Sequence, residues 1–583
     1  MAALLLSRLG YEVPSTIVPK EASFAFSEED LKIVELKTNE NYRVEFNSKS
    51  WTIHTKVVLD PADIRAVACI AARFAPEGSS INLQADTHGA GNVFVGMIMS
   101  FGTNSIPINL VSGDIGCGLS ILPVIKDGKH VKEIPNHAHF LSMMRRTLKR
   151  GKAAEDGAFL SDKIMKAIDF YGFHELPAWL DTMRYILDMV GIPFASYNSE
   201  DQVIYDNLTK DQSSVLQYIG RYAQSLGSSG NHFMELSVDN EGYYWTVVHS
   251  GSRGLGAKVY QPIAEACRSL TNGFEIATGL LAVFYASAYD ALNKFAKLNR
   301  IMCAIAVLHD MGYETNATTL KEHMKASFMF APAMERVGGD SDAMLSLMSG
   351  LTHNGIKAFV NDTMKEALFI LSKGAIAMTK RASASIVALR AGDGCFVWTL
   401  ADLTCQWREE DIQSAIAKVN QGYTVVHSCP DVIYSGHGAG RSRGTAKTAG
   451  MSTFEDIVAF YEETGVVGNV APGVLGDNPR IAYNDVPTIM KHLPLDIACT
   501  QSCLKTMVSF KEGISYHKHS MKLCADYILE HWPTATDDRK LWLDINVCQQ
   551  FMDKAIYTQM NDERAEILKH LDATIIKSST PKN

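Results

Sequence analysis

Ser112-Gly113-Asp114-Ile115-Gly116-Cys117-Gly118 is the stretch on which the interpretation of this 583-residue chain depends. It lies in residues 80–125, where glycine-rich turns alternate with β-branched runs, a pattern that indicates strands joined by tight turns. The glycines permit close backbone approach, so the carboxylate of Asp114 and the thiol of Cys117 can face one space. Mixed oxygen, nitrogen and sulfur ligands suit divalent metals from Mn²⁺ to Zn²⁺. Taken alone, the segment fits a metal site and a buried cysteine beside a turn-forming aspartate equally well.

Four further glycine-flanked motifs follow and supply four histidines. They are Gly230-Asn231-His232-Phe233, His249-Ser250-Gly251-Ser252-Arg253-Gly254, Thr352-His353-Asn354 and Ser435-Gly436-His437-Gly438-Ala439-Gly440-Arg441. Judged singly, His232 and His353 are more typical of satisfied core histidines, whereas His249, at a strand end before a glycine loop, fits a site equally well. Together with Asp114 and Cys117, the four imidazoles are sufficient for a two-metal site plus a spare imidazole.

The last motif indicates a nucleophile or a phosphate site. His437 has a glycine on each side and is therefore sterically open. The backbone N–H groups of residues 438–441 could form an anion-binding nest, and Arg441 and Arg443 supply positive charge for phosphate. The motif is neither a Walker loop, because Gly-Lys-Ser/Thr is absent, nor a dinucleotide-binding fingerprint, because the spacing differs.

Composition bounds the class of protein. The chain is 46% hydrophobic and carries a net charge of −9, which argues against a general nucleic-acid coat protein but leaves room for a local basic groove. No segment reaches the roughly 18 consecutive apolar residues of a membrane span, and the apolar run at residues 2–6 is too short for a signal peptide. The 11 cysteines form no paired framework, as in a reducing compartment. We therefore expect a soluble, cytoplasmic protein without membrane partners.

Local patterns predict several elements. Residues 61–74 have helical spacing, with Asp60 as the cap and Pro61 at the first helical position. Residues 93–99 and 105–111 are predicted strands, and residues 233–237 and 243–249 a strand pair. Residues 130–225 and 256–330 are predicted to be mostly helical, and β character returns at residues 385–428. Residues 514–583 are rich in helix formers, with heptad-like apolar spacing at residues 545–568.

Taken together, the motifs closely resemble the RtcB family of RNA-splicing ligases. Besides the five motifs, Asp86-Thr87-His88-Gly89-Ala90-Gly91 is similar to an earlier family segment, and the order of all segments agrees. The resemblance implies an α/β (α+β) fold with large β layers flanked by helices. It also implies an RtcB-like catalytic body at residues 1–513, with a helical insertion at about residues 130–225. Residues 514–583 would form a helical C-terminal extension outside the resemblance.

The resemblance implies a GTP- and Mn²⁺-dependent ligase that joins RNA 3′-phosphate or 2′,3′-cyclic phosphate ends to 5′-hydroxyl ends, in RNA repair or tRNA splicing. His437 would attack the α-phosphate of GTP and form a histidine–GMP intermediate. Cys117 would bridge two Mn²⁺ ions, with Asp114 and His232 on one ion and His249 and His353 on the other. An archease-like activator is a further partner that the family suggests.

The same resemblance assigns a guanylate pocket. The positions that match it are Asn231, His232, Glu235, His353, Asn354, His437, Gly438, Ala439, Gly440 and Lys511. Where the family has Pro-Gly-Ser-Met-Gly, this chain has Arg390-Ala391-Gly392-Asp393-Gly394-Cys395, so Gly392 and Asp393 are assigned by alignment of the glycines. Arg253, Arg441 and Arg443 are the candidate contacts to phosphate and RNA.

Two other functions remain open at this point. The altered segment at residues 390–395 is compatible with a Mn²⁺-dependent phosphodiesterase that opens cyclic phosphates without ligation. A non-catalytic protein that binds RNA ends is the third hypothesis, with the C-terminal helices as its partner surface. Loss of guanylylation with retained hydrolysis would favour the phosphodiesterase. RNA binding that does not need metal would favour the non-catalytic protein.

Overall fold

The fold is mixed α/β with large β layers flanked by helices, which confirms the predicted fold class. The computed structural model describes residues 1–15, 31–37, 40–90, 93–149, 157–171, 176–192, 210–227, 231–340, 343, 347, 352–389, 393–442, 448–468, 478–492, 500–512, 527 and 530–547. Most of the long helices lie between residues 137 and 337, and strands precede and follow them.

Strands and helices are numbered separately along the chain. The strands are β1 (Lys32–Lys37), β2 (Asn41–Phe46), β3 (Lys49–Thr55), β4 (Ser80–Ala90), β5 (Val93–Ser100), β6 (Ser105–Pro107), β7 (Gly118–Pro123), β8 (Ile125–Lys126), β9 (Lys129–His130), β10 (Phe233–Val238), β11 (Tyr244–Ser250), β12 (Ile276–Thr278), β13 (Asn354–Asn361), β14 (Glu366–Lys373), β15 (Ala375–Thr379), β16 (Ala382–Ala388), β17 (Cys395–Ala401), β18 (Arg408–Glu410), β19 (Thr424–Val426), β20 (Val432–Gly436), β21 (Val467–Gly468) and β22 (Thr500–Phe510). The α-helices are α1 (Ala2–Arg8), α2 (Pro61–Phe74), α3 (His137–Thr147), α4 (Gly157–Tyr171), α5 (Leu176–Met189), α6 (Lys210–Gly220), α7 (Arg253–Leu270), α8 (Gly279–Asp310), α9 (Ala317–Ala326), α10 (Ala331–Val337), α11 (Ile412–Asn420), α12 (Phe454–Thr464), α13 (Pro479–Ala482), α14 (Val486–His492) and α15 (Asp537–Asn546).

Two large sheets form the centre of the fold. Within the described residues, the first has nine strands in the order β1-β2-β3-β4-β5-β14-β13-β18, with β19 paired to β14. The second has seven strands in the order β16-β17-β22-β10-β11-β7, with β21 paired to β22. β13 begins directly after His353 and β10 directly after His232, so each sheet contains a strand whose first residue follows a predicted metal ligand.

The helix α8 is buried over most of its surface and supports the second sheet through β7 and β11. A helix that is apolar on nearly all sides belongs in the interior. Asn299 and Arg300 are polar exceptions, because both lie in this helix with 0% exposure, directly before the buried apolar run at residues 301–308. None of the helices in the described ranges, α8 included, is long and apolar enough to cross a membrane.

Most local predictions agree with the structure. The helix Pro61–Phe74 has the predicted bounds, and the Asp60 carboxylate accepts the Asp63 N–H at 2.8 Å. The predicted strand at residues 105–111 is only half correct, since it ends at Pro107 and continues as a 3₁₀ turn at Ile108–Leu110. Proline at position 107 removes a donor from the ladder, which explains the early end. The described parts of residues 130–225 contain the helices α3 to α6, as predicted.

The described part of the C-terminal region packs on the rest of the chain. The Asn546 side chain accepts the Gly468 N–H at 2.8 Å, and Arg539 lies 3.3 Å from the Glu462 carboxylate. Tyr527 is buried against Phe454. The division into a body and an extension stays a prediction, because residues 548–583, with most of the heptad-like segment, lie outside the described residues.

The β10–β11 hairpin is fixed by one carboxylate at its turn. Asp239 is 6% exposed and accepts the N–H groups of Glu241 and Tyr243 at 2.9 Å, as well as the indole N–H of buried Trp245 at 2.8 Å. The turn thus aligns the two strands that carry His232 and His249 at the opposite end of the hairpin.

We predict that Asp239→Ala lowers the free energy of unfolding by about 3 kcal/mol, because it leaves buried donors without an acceptor. Urea unfolding followed by tryptophan fluorescence measures this. Asn240→Ala, at an exposed position of the same turn, is the control and should unfold like the wild type. Equal unfolding midpoints for the two variants would contradict the assigned role of Asp239.

Candidate active site

Three of the predicted ligands lie at the same end of three adjacent strands. Cys117 directly precedes β7, His232 directly precedes β10, and His249 is the penultimate residue of β11. In the register of the sheet, His249 pairs with Leu119 and with Phe233. Because neighbouring strands are only about 5 Å apart, this register alone brings the three side chains together.

The three side chains form a compact, buried cluster. The Cys117 Sγ lies 3.3 Å from His232 Nε2 and 3.2 Å from His249 Nε2. Their candidate ligand atoms all lie within 4.8 Å of one another, and each residue is buried. His353 extends the cluster, since its Nε2 lies 3.1 Å from His249 Nε2. One sulfur and three imidazole nitrogens therefore face a common space.

Asp114 joins the cluster from the glycine-rich turn. One of its oxygens, Oδ2, lies 3.4 Å from His232 Nε2, and its side chain is 26% exposed. The approach depends on Gly251, because a Cβ at that position would lie 2.3 Å from Asp114 Oδ1. The glycine of the His249-Ser250-Gly251 motif is thus needed for room beside Asp114.

Burial and neighbouring charges set the protonation states of the cluster. Burial lowers the pKa values of His249 and His353 well below the usual range, so both rings are neutral and present lone pairs. Burial would raise the pKa of Asp114, but the neighbouring His232 and Lys373 bring it below its usual range. Burial and the Asp114 charge raise the pKa of the Cys117 thiol, so a metal ion must displace its proton on binding.

Arg300 links the two segments that carry Cys117 and His249. Its guanidinium is fully buried and donates at 2.7 Å to the carbonyls of Gly116 and Ser250, which adjoin Cys117 and His249. It also donates to the Ser120 hydroxyl at 3.1 Å. Burial lowers the pKa of Arg300 to about 10, which leaves it charged at neutral pH.

His353 is held to the same turn by the backbone. Its N–H donates to the Cys117 carbonyl at 2.8 Å, and its carbonyl accepts the Ala375 N–H at 3.1 Å. Ala375 begins β15, which pairs with β20, and β20 ends directly before His437. The ring centroids of His353 and His437 are consequently only 4.4 Å apart.

The carboxylate of Asp86 orients His437. Asp86 is 0% exposed, and its Oδ2 lies 2.6 Å from the His437 Nδ1. The same oxygen accepts the backbone N–H of His437 at 3.0 Å and of Gly438 at 3.3 Å. Gly440, at φ +62°, lets the loop pass within contact of Asp86, where a Cβ would lie 2.4 Å from its Cα. A carboxylate on Nδ1 keeps the proton there and leaves the Nε2 lone pair available.

Of the pocket residues assigned from the sequence, Glu235 and Asn354 lie on β10 and β13, the strands that begin directly after His232 and His353. Glu235 is buried on β10 and accepts the hydroxyls of Thr506 at 3.0 Å and Ser509 at 3.1 Å. The charge of Lys511 also acts on the Glu235 carboxyl. The Asn354 side chain accepts the Gly374 N–H at 2.8 Å. Asn231 is exposed, and Gly392 is outside the described residues. Burial raises the pKa of the Cys503 thiol, and the charge of Asp393 adds to that effect.

The loop after His437 differs from the expected nest. The N–H groups of Gly438 and Ala439 are already bonded, to Asp86 and to the Ala388 carbonyl, so these two do not point toward an anion. Arg441 stacks over the Tyr483 ring at 5.2 Å. The guanidinium of Arg253 lies beside the cluster, 3.1 Å from His232 Nδ1. Arg443 lies outside the described residues.

Three charged residues of the site were not assigned from the sequence: Asp86, Arg300 and Lys373. Asp86 stood in a segment recognised as family-like, but nothing in its neighbours indicated that it contacts residue 437. A charge beside the unbroken apolar run at residues 301–308 was the available signal for Arg300. Lys373 donates to the Val111 carbonyl and the Ser112 hydroxyl at the end of β14, a pairing that only the fold reveals.

Comparison with known proteins finds similarity to one family and to individual relatives. The sequence model of the family described as tRNA-splicing ligase RtcB matches residues 72–397, which include Asp114, Cys117, His232, His249 and His353 but not His437. The RNA-splicing ligase RtcB homolog 1 of Entamoeba histolytica is 26% identical over 226 residues, which cover 34% of this chain and 40% of the relative. The RtcB homolog 2 of Entamoeba dispar is 24% identical over 226 residues, with the same coverage.

These alignments span less than half the length of either relative. The family match, in contrast, covers more than half of this chain and contains the strands β7, β10, β11 and β13 that carry the cluster. On these grounds the chain belongs to the RtcB family of tRNA-splicing ligases.

Proposed function

We propose that this chain is a GTP- and Mn²⁺-dependent RNA ligase that joins 3′-phosphate or 2′,3′-cyclic phosphate ends to 5′-hydroxyl ends. The single observation that carries the proposal is the position of His437. An imidazole oriented by a buried carboxylate lies against a cluster of one thiol and three histidines. Membership of the RtcB family supports the reaction class.

His437 would serve as the nucleophile. With the proton held on Nδ1 by Asp86, the Nε2 lone pair can attack the α-phosphorus of GTP. A P–N bond forms, the bond between the α-phosphorus and the bridging oxygen breaks, and pyrophosphate leaves. An oxygen of the RNA 3′-phosphate then displaces the imidazole, and GMP passes to the RNA end. Attack by the 5′-hydroxyl on the activated phosphate releases GMP and closes the phosphodiester.

The donor set fits a pair of Mn²⁺ ions. Cys117 would be shared, with Asp114 and His232 on one side and His249 and His353 on the other. The Cys117 Sγ and the Nε2 atoms of His232, His249 and His353 face one buried space, which would give such ions sulfur and nitrogen ligands. Bound cations would offset phosphate charge and stabilise the entering and leaving oxygens.

Glu235 and Lys511 would recognise the guanine. A carboxylate can accept from both N1–H and the N2 amino group of guanine, a pair of donors that adenine lacks. The hydroxyls of Thr506 and Ser509 hold the Glu235 carboxyl in place. In this proposal the RNA ends approach past Arg441, and an archease-like activator is a further candidate partner.

We predict that His437→Ala abolishes protein labelling by α-³²P-GTP in the presence of MnCl₂, because no other residue supplies an oriented imidazole at this position. Denaturing electrophoresis detects the acid-labile label. His309→Ala, at an exposed histidine at the end of α8, should be labelled like the wild type. Label retained on His437→Ala would rule out the proposed nucleophile.

Cys117→Ala is expected to remove RNA joining and to lower the amount of Mn²⁺ bound per chain, because the ligand shared by both ions is lost. Joining is measured with a 3′-phosphate oligonucleotide, and bound metal by mass spectrometry after desalting. The control is Cys69→Ala on α2, away from the cluster. Joining by Cys117→Ala at the wild-type rate would contradict the proposed metal site.

Burial raises the pKa of Glu235 to about 7. Because only the ionised form accepts both guanine donors, affinity for GTP should rise as the pH increases through that value. Titration of GTP into the His437→Ala variant, in which transfer is blocked, measures binding between about pH 6 and about pH 8. The additional change Glu235→Gln should flatten the profile. If Glu235→Gln leaves the pH dependence of GTP affinity unchanged, Glu235 does not take part in guanine recognition.

A further inference from the structure

Glu512, directly after β22, binds a turn on a different part of the chain. Its carboxylate accepts the Ser225 hydroxyl at 2.9 Å, the Leu226 N–H at 2.5 Å and the Gly227 N–H at 3.0 Å. Three donors from consecutive residues thus converge on one anion, an arrangement in which charge-assisted hydrogen bonds are strong.

The other side of this turn supports two of the proposed metal ligands. The Leu226 carbonyl accepts from His232 Nδ1 at 2.8 Å and from the Ser250 hydroxyl at 3.2 Å. Ser250 directly follows His249 in β11. The peptide unit between Leu226 and Gly227 therefore contacts Glu512 through the Gly227 N–H and the ligand strands through the Leu226 carbonyl.

The bond from His232 fixes the state of its ring. Donation from Nδ1 to a carbonyl places the proton on Nδ1 and leaves the Nε2 lone pair facing the Cys117 sulfur, 3.3 Å away. Metal-binding histidines commonly depend on such an outer acceptor for their tautomer and orientation. A displaced turn would deprive His232 of that acceptor.

The position of Arg253 gives a second reason why the Glu512 carboxylate is needed beside His232. Its guanidinium lies 3.1 Å from His232 Nδ1, so two donor groups face each other there. It also packs so tightly on Gly227 that a Cβ at this position, with φ +90°, would overlap it. The negative charge of Glu512 acts on Arg253 and offsets the positive charge beside the ring.

We infer that Glu512 is a positioning residue for the metal centre, acting through the Ser225–Gly227 turn on the orientation of His232. This rests on the proposed function, since it takes His232 to be a metal ligand. Glu512 touches neither the cluster nor the nucleophile in the described contacts, so its substitution should change metal affinity rather than the chemistry itself.

The test is titration of MnCl₂ into the full-length metal-free chain by calorimetry. Glu512→Ala should bind Mn²⁺ about tenfold more weakly than the wild type, and Glu512→Gln, which keeps one acceptor oxygen but loses the charge, about threefold more weakly. Glu335→Ala, at an exposed glutamate of α10, is the matched control and should bind like the wild type. Circular dichroism establishes that each variant is folded.

A second measurement separates positioning from a role in nucleotide binding beside Lys511. Guanylylation by Glu512→Ala should recover to within about threefold of the wild type when Mn²⁺ is saturating. Wild-type Mn²⁺ affinity in Glu512→Ala, or a defect that persists at saturating metal, overturns the inference. If Glu512→Ala does not fold, Glu512→Gln decides, and wild-type affinity in that variant has the same meaning. A wild-type chain that binds no Mn²⁺ would instead contradict the proposed function itself.

Discussion

The buried guanidinium of Arg300 is the interaction on which the site depends. Removing a charge from water costs several kcal/mol unless strong acceptors replace the lost hydration. Here the carbonyls of Gly116 and Ser250 do so, and both belong to peptides next to proposed ligands. The cost of burying Arg300 is therefore offset only when the glycine-rich turn and the end of β11 are in their native places. The burial of α8 and the assembly of the cluster are therefore coupled energetically.

A chain of backbone contacts connects the glycine-rich turn with His437. The Cys117 carbonyl receives the His353 N–H, and His353 leads into β13 of the nine-stranded sheet. The β15–β20 pair ends directly before His437. Asp86, on β4 of the nine-stranded sheet, holds the His437 ring in its orientation. The cluster of Cys117, His232 and His249 thus lies at one end of the seven-stranded sheet, whereas His437 follows the separate β15–β20 pair. Movement of that pair relative to the seven-stranded sheet would change the distance between His437 and the cluster.

The sequence indicated which residues lie together better than it indicated what holds them in place. Glycine-flanked histidines carry their signal locally, and the strand pair ending at His249 follows from alternation and turn residues, so both were accessible. Asp86 and Arg300 act on partners 351 and 184 positions away, which no local pattern encodes. The predicted nest after His437 was wrong for Gly438 and Ala439 because Asp86 and Ala388 take those amides. Long-range partners of this kind appear only once the topology is known.

The contact between Asn546 and Gly468 affects how readily an edge of the sheet can pair with other chains. β21 is a two-residue strand on the outer side of β22, and an uncovered strand of that kind offers free amides to any passing chain. The Asn546 side chain occupies the Gly468 amide, and α15 covers the neighbouring backbone. The C-terminal region thereby shields a sheet edge, so a chain cut before this helix would leave the Gly468 amide at that edge without its acceptor.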